Sequence, residues 1–146
     1  MILSKAEIAR VQIEKAVYLY VIEKDYVCAI TLAGAAEELL GSIIKEQGGK
    51  SVIGDVYEEF IEEYNKFSMF SYEINNIRNE LKHSHKNPSL DYEINIGEDD
   101  CAIMLYRALA NYAKAVGEPT LKMTACWTLL KRWHEEIFPN SKYPIL

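Results

Sequence analysis

Residues 25–49 read Asp25-YVCAITLAGAAEELLGSIIKEQG-Gly49, and this stretch decides the fold. Asp25 occupies the place of a helix N-cap, where a carboxylate accepts an orphan backbone amide of the first turn. Ala29, Leu32, Ala33, Ala36, Leu40 and Ile43 then recur at steps of three and four, which draws one apolar stripe along a helix. Gly48-Gly49 supplies the left-handed backbone that closes it. Gly34 and Gly41 lie seven apart and nearly share a face. Each costs about 1 kcal/mol relative to alanine in a helix interior, so the pair predicts close approach of another helix. Glu37 falls at the edge of the stripe. It reads first as a rim glutamate with its head in water, and second as an acid paired with Arg78 or a histidine.

Working outward, the same periodicity fills most of the chain. Ser4-Lys5-Ala6-Glu7 fits a capping box, and Ile2, Ala6, Ala9, Ile13, Ala16 and Tyr20 follow as one helix face that fades by Lys24. Downstream, Val56, Phe60, Tyr64 and Phe67 predict a short third helix with Glu58, Glu59, Glu62 and Glu63 on its solvated side. A fourth helix is expected from about Ser71 to Ser84, with Phe70, Ile74, Ile77 and Leu81 inward. Asn87-Pro88 ends it. Leu90, Tyr92, Ile94 and Ile96 alternate with period two, which predicts an extended arm packing four apolar side chains on the bundle. Glu98-Asp99-Asp100 is a favourable acidic N-terminus for a fifth helix carrying Ala102, Leu105, Leu109, Tyr112 and Val116. Gly117 and Pro119 terminate it. A sixth helix over about 120–138 presents Met123, Cys126, Leu130, Trp133 and Ile137, and a loosely ordered tail is expected from Pro139. The fold class is therefore all-α, an antiparallel four-to-six-helix bundle. It forms one domain over residues 1–146, with a core bundle at about 4–116 and an accessory helix at about 120–138.

The totals agree. A chain of 146 residues with 49% apolar composition buries a sizeable single core. No apolar run reaches the roughly 18 residues that span a bilayer, and the first residues lack an apolar leader, so a cytoplasmic protein without a membrane partner is expected. Cys28, Cys101 and Cys126 are far apart in apolar contexts and read as core thiols. The net charge of −6 argues against a sequence-blind nucleic-acid binder, because phosphate neutralisation supplies the affinity of such proteins. Any nucleic-acid role has to rest on a local basic patch or on a cleft between two copies.

One such patch exists. Ile77-Arg78-Asn79-Glu80-Leu81-Lys82-His83-Ser84-His85-Lys86 collects an arginine, two lysines and two of the three histidines. Arginine holds phosphate through a planar fork of donors. Histidine titrates near neutrality and can take or give a proton. Together they suit metal-free cleavage of an RNA phosphodiester, with His83 as acid or base, Arg78 on the phosphoryl oxygens and Asn79 in support. Helix geometry works against this within one straight helix, since five steps of about 100° leave Arg78 and His83 roughly 140° apart. A loosened helix end or a second subunit would bring them together. The plainer reading is a basic last turn that complements the helix dipole. A metal site from His83, His85 and Asp91 is the weaker alternative, because His-x-His does not stack on a helix and no cysteine joins it.

Arg78-Asn79 followed by His83, late in a helix of an all-α bundle, resembles the HEPN superfamily (higher eukaryotes and prokaryotes nucleotide-binding), whose hallmark is Arg, four to six residues, then His. The resemblance covers the helical plan from about Ser4 to Val116. It implies a homodimer with the two motifs facing across the interface, and metal-independent, cofactor-free ribonuclease activity of the kind found in toxin–antitoxin, abortive-infection and RNA-processing systems. Arg78, His83 and Asn79 would then act on RNA, with Lys82, His85 and Lys86 on its phosphates and Glu37 as an acidic partner. An antitoxin protein is a further implied partner. Other members are noncatalytic. For this chain that alternative is an interaction bundle using the Trp127/Trp133 surface or the small-residue face of the second helix, or a nucleotide binder with Arg78 and Lys82 on phosphates.

Overall fold

A computed structural model of the chain describes residues 1–59, 61–83, 89–137 and 139. Among them the structure is all-helical: α1 (Lys5–Tyr18), a π-helical turn (Leu19–Glu23), α2 (Tyr26–Glu46), α3 (Val52–Glu59), α4 (Phe67–Ile74), α5 (Asn76–Lys82), α6 (Glu98–Ala115) and α7 (Leu121–Ile137). The expected bundle is present, with more and shorter pieces in its middle.

The helix ends follow local chemistry. The Ser4 hydroxyl accepts from the Glu7 amide while the Glu7 carboxylate accepts from the Ser4 amide, which closes the capping box. Asp25 caps α2 by accepting from the Cys28 amide at 3.0 Å. Gly48 (φ 78°) and Gly117 (φ 103°) take left-handed backbone just past α2 and α6. At the head of α6, Asp100 reaches back to accept from the Gly97 amide at 2.9 Å.

The core joins α1, α2, α6 and α7 around Ile13, Ile30, Leu40, Leu105, Met123 and Leu130. α2 packs chiefly on α6 and α1. Gly34 lies against Met104, Glu37 against Arg107 and Gly41 against Asn111, so α2 and α6 advance in the same direction, and the all-α bundle departs here from the antiparallel packing expected of it. A parallel pair needs a long crossover. Residues 47–97, carrying α3, α4 and α5, span that distance, and this arrangement places α5 on the flank of α2.

Several expectations change. Ile2 is fully exposed and precedes α1. The third helix begins at Val52 and ends by Glu59, and Phe60 lies outside the described residues. Tyr64 and Phe67 instead fold back, and Tyr57 packs edge-on to Phe67 and beside Phe70. The fourth helix is two helices with a break at Asn75. In the arm, Ile94 and Ile96 are half-buried, whereas Leu90 is fully exposed and Tyr92 is also exposed. Ile44 takes the buried place expected for Ile43. Val116 is exposed because α6 gives way to Gly117 at that point. Ser84 and the tail from residue 140 lie outside the described residues.

Cys28 is exposed, because it sits in the first turn of α2 on the outer side. Cys101 and Cys126 are buried, and burial pushes both thiols up to about 12, which leaves them protonated and unreactive. α2 (21 residues) contains an 18-residue window of mean hydropathy 1.6, which by length and composition alone is enough to cross a membrane. In the bundle its apolar face packs on α1 and α6, and Glu37 and Glu38 in its middle pair with arginine and lysine side chains of the chain itself.

Candidate functional site

The polar chemistry gathers where α5 meets α2 and α6. α6 is apolar nearly all round from Cys101 to Tyr112, and it is buried nearly all round. Two polar residues interrupt that run, Arg107 and Asn111, four apart on one face. Buried polar groups need partners, and both find them on α2. Arg107 donates from Nη2 to Glu37 Oε1 at 3.0 Å and to Asn75 Oδ1 at 2.6 Å, and from Nη1 to the Ile74 carbonyl at 3.1 Å. Asn111 Nδ2 donates to the Glu37 carbonyl at 3.2 Å, and Asn111 Oδ1 accepts from the Val52 amide at 2.9 Å. One face of α6 thus holds α2, the start of α3 and the α4–α5 junction.

This explains the break at Asn75. Its backbone (φ −97°, ψ 3°) leaves the helical basin, and its side chain and the preceding carbonyl turn to the Arg107 guanidinium. The helix resumes at once, because the Asn79 amide donates to the Asn75 carbonyl at 2.9 Å. The restarted helix points Arg78 at α2.

Arg78 donates from Nη1 to Glu37 Oε2 at 2.9 Å, so the two oxygens of one carboxylate bind two guanidinium groups. The Glu37 side chain is 4% exposed, Arg107 3% and Arg78 12%. The favoured reading of Glu37 as a solvated rim residue is therefore overturned, and the alternative partnership with Arg78 holds. Two cations on one anion leave a net positive charge in a low-dielectric site. Burial pulls the Arg107 pKa down, Glu37 opposes that pull and Arg78 adds to it. Nε of both arginines is buried without a hydrogen-bond partner.

Gly34 belongs to the same device. A Cβ there would come within 2.7 Å of Arg78 Cδ and 2.9 Å of Cγ. The close approach expected at this glycine is real, but it is made by the stem of an arginine rather than by a helix backbone.

One turn further along α5 the environment changes. Lys82, the last residue of the helix, donates from Nζ to Glu38 Oε2 at 2.8 Å. Glu38 is held below the usual carboxylate range chiefly by that hydrogen bond, with smaller contributions from the charges of Lys82, Arg78 and His83. His83 is the C-cap, exposed and with extended backbone (φ −143°, ψ 134°). Its amide donates to the Asn79 carbonyl at 2.8 Å. Asn79 itself is half-buried on α5. His85 and Lys86 lie outside the described residues.

The structure thus brings Glu37 and Arg78 together, places Lys82 and His83 at the rim beside Glu38, and turns Arg78 inward. Arg107, Asn111 and Asn75 escaped the sequence reading because they lie off the apolar stripe of their helices. The available signal was the run from Cys101 to Tyr112, in which an arginine and an asparagine are the only strongly polar side chains. The tryptophan alternative also changes character. Trp127 stacks on Tyr106 at 5.5 Å, and Trp133 Nε1 donates to Asp99 Oδ1 at 3.0 Å, so both serve to pack α7 on α6.

Compared with known proteins, the chain matches no family model, no curated sequence and no solved structure.

Proposed function

We propose that this chain is a HEPN-like helical protein that binds RNA through the C-terminal end of α5. The observation that supports it is the division of labour along that helix. Arg78 is spent inward on Glu37, which fixes α5 to α2, while Lys82 and His83 stand at the surface one turn later. A cation and an imidazole at a rim suit contacts to phosphate and sugar. Residues 84–88 continue the basic motif with His85 and Lys86. In this proposal the acidic remainder of the surface confines RNA to that rim, and the protein acts in the cytoplasm as a homodimer whose two rims form one cleft. An antitoxin-type protein partner belongs to the same proposal.

Catalysis is the second reading, and one observation favours it. α5 stops at Lys82, so His83 is released from the helical phase that separates it from Arg78. In that reading His83 moves the proton of a ribose hydroxyl, and Arg78 reaches the phosphoryl group from its partly exposed edge.

Binding of a fluorescent single-stranded RNA, measured across a salt series, tests the proposal. The Lys82→Ala variant should bind more weakly at low salt, with the slope of log K against log salt reduced by about 0.7 for the one lost phosphate contact. Unchanged binding and an unchanged slope would remove the proposal. His83→Ala separates the two readings. Loss of RNA cleavage with RNA binding retained supports catalysis, and the absence of cleavage by wild-type protein leaves binding as the function.

A further inference from the structure

Beside His83 lies an open cleft of about 220 Å³ between the end of α5 and the segment that leads to α6. Glu80, Lys82, His83, Ser89, Tyr92 and Ile94 line it. The space is smaller than a typical drug-sized site and suits one planar ring system with its sugar. Its residues are sorted by role. Lys82 and His83 sit on the side of the cleft that carries the proposed phosphate contacts. Tyr92 offers an aromatic side chain on a residue that is 40% exposed, although the sequence pattern assigned it to the core. Glu80 is half-buried at the wall, and no hydrogen bond or ion pair from the described residues reaches its carboxylate.

A carboxylate offers acceptors only. In a cleft meant for phosphate alone it would repel the ligand, so its presence calls for a ligand group rich in donors. Among the bases, guanine alone presents two adjacent donors on its Watson–Crick edge, N1–H and N2–H, which match the two oxygens of a carboxylate. Adenine and cytosine each pair one amino donor with an acceptor nitrogen there. Uracil offers a single N–H between two carbonyls. Bidentate, charge-assisted pairing is the stronger and more selective kind. Unstacked bases of single-stranded RNA are commonly held by aromatic stacking with hydrogen bonds to that edge.

We infer that this cleft is a guanine subsite: Tyr92 stacks on the base, Glu80 accepts from N1–H and N2–H, and Lys82 with His83 holds the adjoining phosphate. The inference deepens the RNA-binding reading and rests on it for the phosphate contacts. It names single-stranded RNA with an unpaired guanine as the ligand class.

The test uses the full chain and labelled oligouridine carrying one central guanine, adenine or cytosine, with guanosine monophosphate and adenosine monophosphate as separate probes. Wild type should prefer the guanine oligomer by about 10-fold or more, the usual scale of a good bidentate contact. Glu80→Gln exchanges an acceptor for a donor. It should abolish that preference and raise relative affinity for adenine, with overall folding unchanged by circular dichroism. Tyr92→Ala should weaken every oligomer by about 5-fold or more, and Tyr92→Phe should restore binding, because stacking needs only the ring. Equal affinity for guanine and adenine oligomers, unmoved by Glu80→Gln, would overturn the subsite and leave RNA binding standing. Guanosine monophosphate bound in preference to adenosine monophosphate, without binding of any oligomer, would keep the subsite and overturn the RNA reading. Binding of neither would overturn both.

Discussion

Glu37 and Glu38 are neighbours on α2, and each takes a cation from α5, yet they do opposite work. Glu37 is buried between Arg78 and Arg107, while the side chains of Glu38 and Lys82 are 58% and 30% exposed. The inner carboxylate cannot be removed without stranding two guanidinium groups in the interior. The outer one can, because water replaces either partner. One residue of helix rotation therefore separates a group that assembles the fold from a group at the solvated surface. On α5 it is one turn along the helix that separates Arg78 from Lys82 and His83, although a sequence motif joins them.

The comparison is broken most forcefully at Glu37. Removing one partner of a buried ion pair typically costs 3–5 kcal/mol. Glu37→Ala should fall in or above that range by urea denaturation, and Arg78→Ala should cost less, about 1–3 kcal/mol, because Arg107 still neutralises the carboxylate. If Glu37→Ala is no worse than Glu38→Ala, the buried network is not what fixes α5 to α2.

A subtler test exploits Gly34. Alanine there should gain about 1 kcal/mol of helix propensity. Its Cβ would collide with the Arg78 stem, so in the wild-type background Gly34→Ala should be net destabilising by about 1–2 kcal/mol. In the Arg78→Ala background the same change should become stabilising. A double-mutant cycle reads the reversal as a coupling energy, and additive effects would place the Arg78 stem elsewhere.

The smallest effect belongs to the outer pair. Lys82→Ala should cost under about 1 kcal/mol, and less still as salt rises. Its pH dependence has a definite sign. The Glu38 carboxyl is depressed in the folded state, so its contribution is fully present above the ordinary carboxylate range and is lost as pH falls through the depressed value. Between about pH 7 and pH 3 the wild type should therefore lose slightly more stability than Glu38→Gln, measured by denaturant titration at each pH. A steeper acid slope in Glu38→Gln would reverse the assignment.

Legibility in the sequence follows the range of the interaction. The starts of α1 and α2 and the ends of α2 and α6 were legible, because Ser4, Asp25, Gly48 and Gly117 act on backbone groups within a few residues. The apolar faces were legible because burial repeats with the helical period. The junction at Asn75 was not. Nothing in its own neighbourhood calls for a break, and the group that holds it, Arg107, lies 32 residues away. Glu37 was legible only as a pair of alternatives. Its position at the edge of a stripe favoured solvent over a partner, and the partners lie 41 and 70 residues along the chain.

By itself, then, the sequence determined an all-helical bundle, most of its helix ends and a basic motif at the end of one helix, because caps and periodicity are local properties. Only the tertiary structure decided what the motif is made of. It turned Arg78 inward onto Glu37, cleared its path at Gly34 and left Lys82 and His83 outside. Those outcomes depend on which distant side chains share a low-dielectric space, and no short stretch of sequence carries that information.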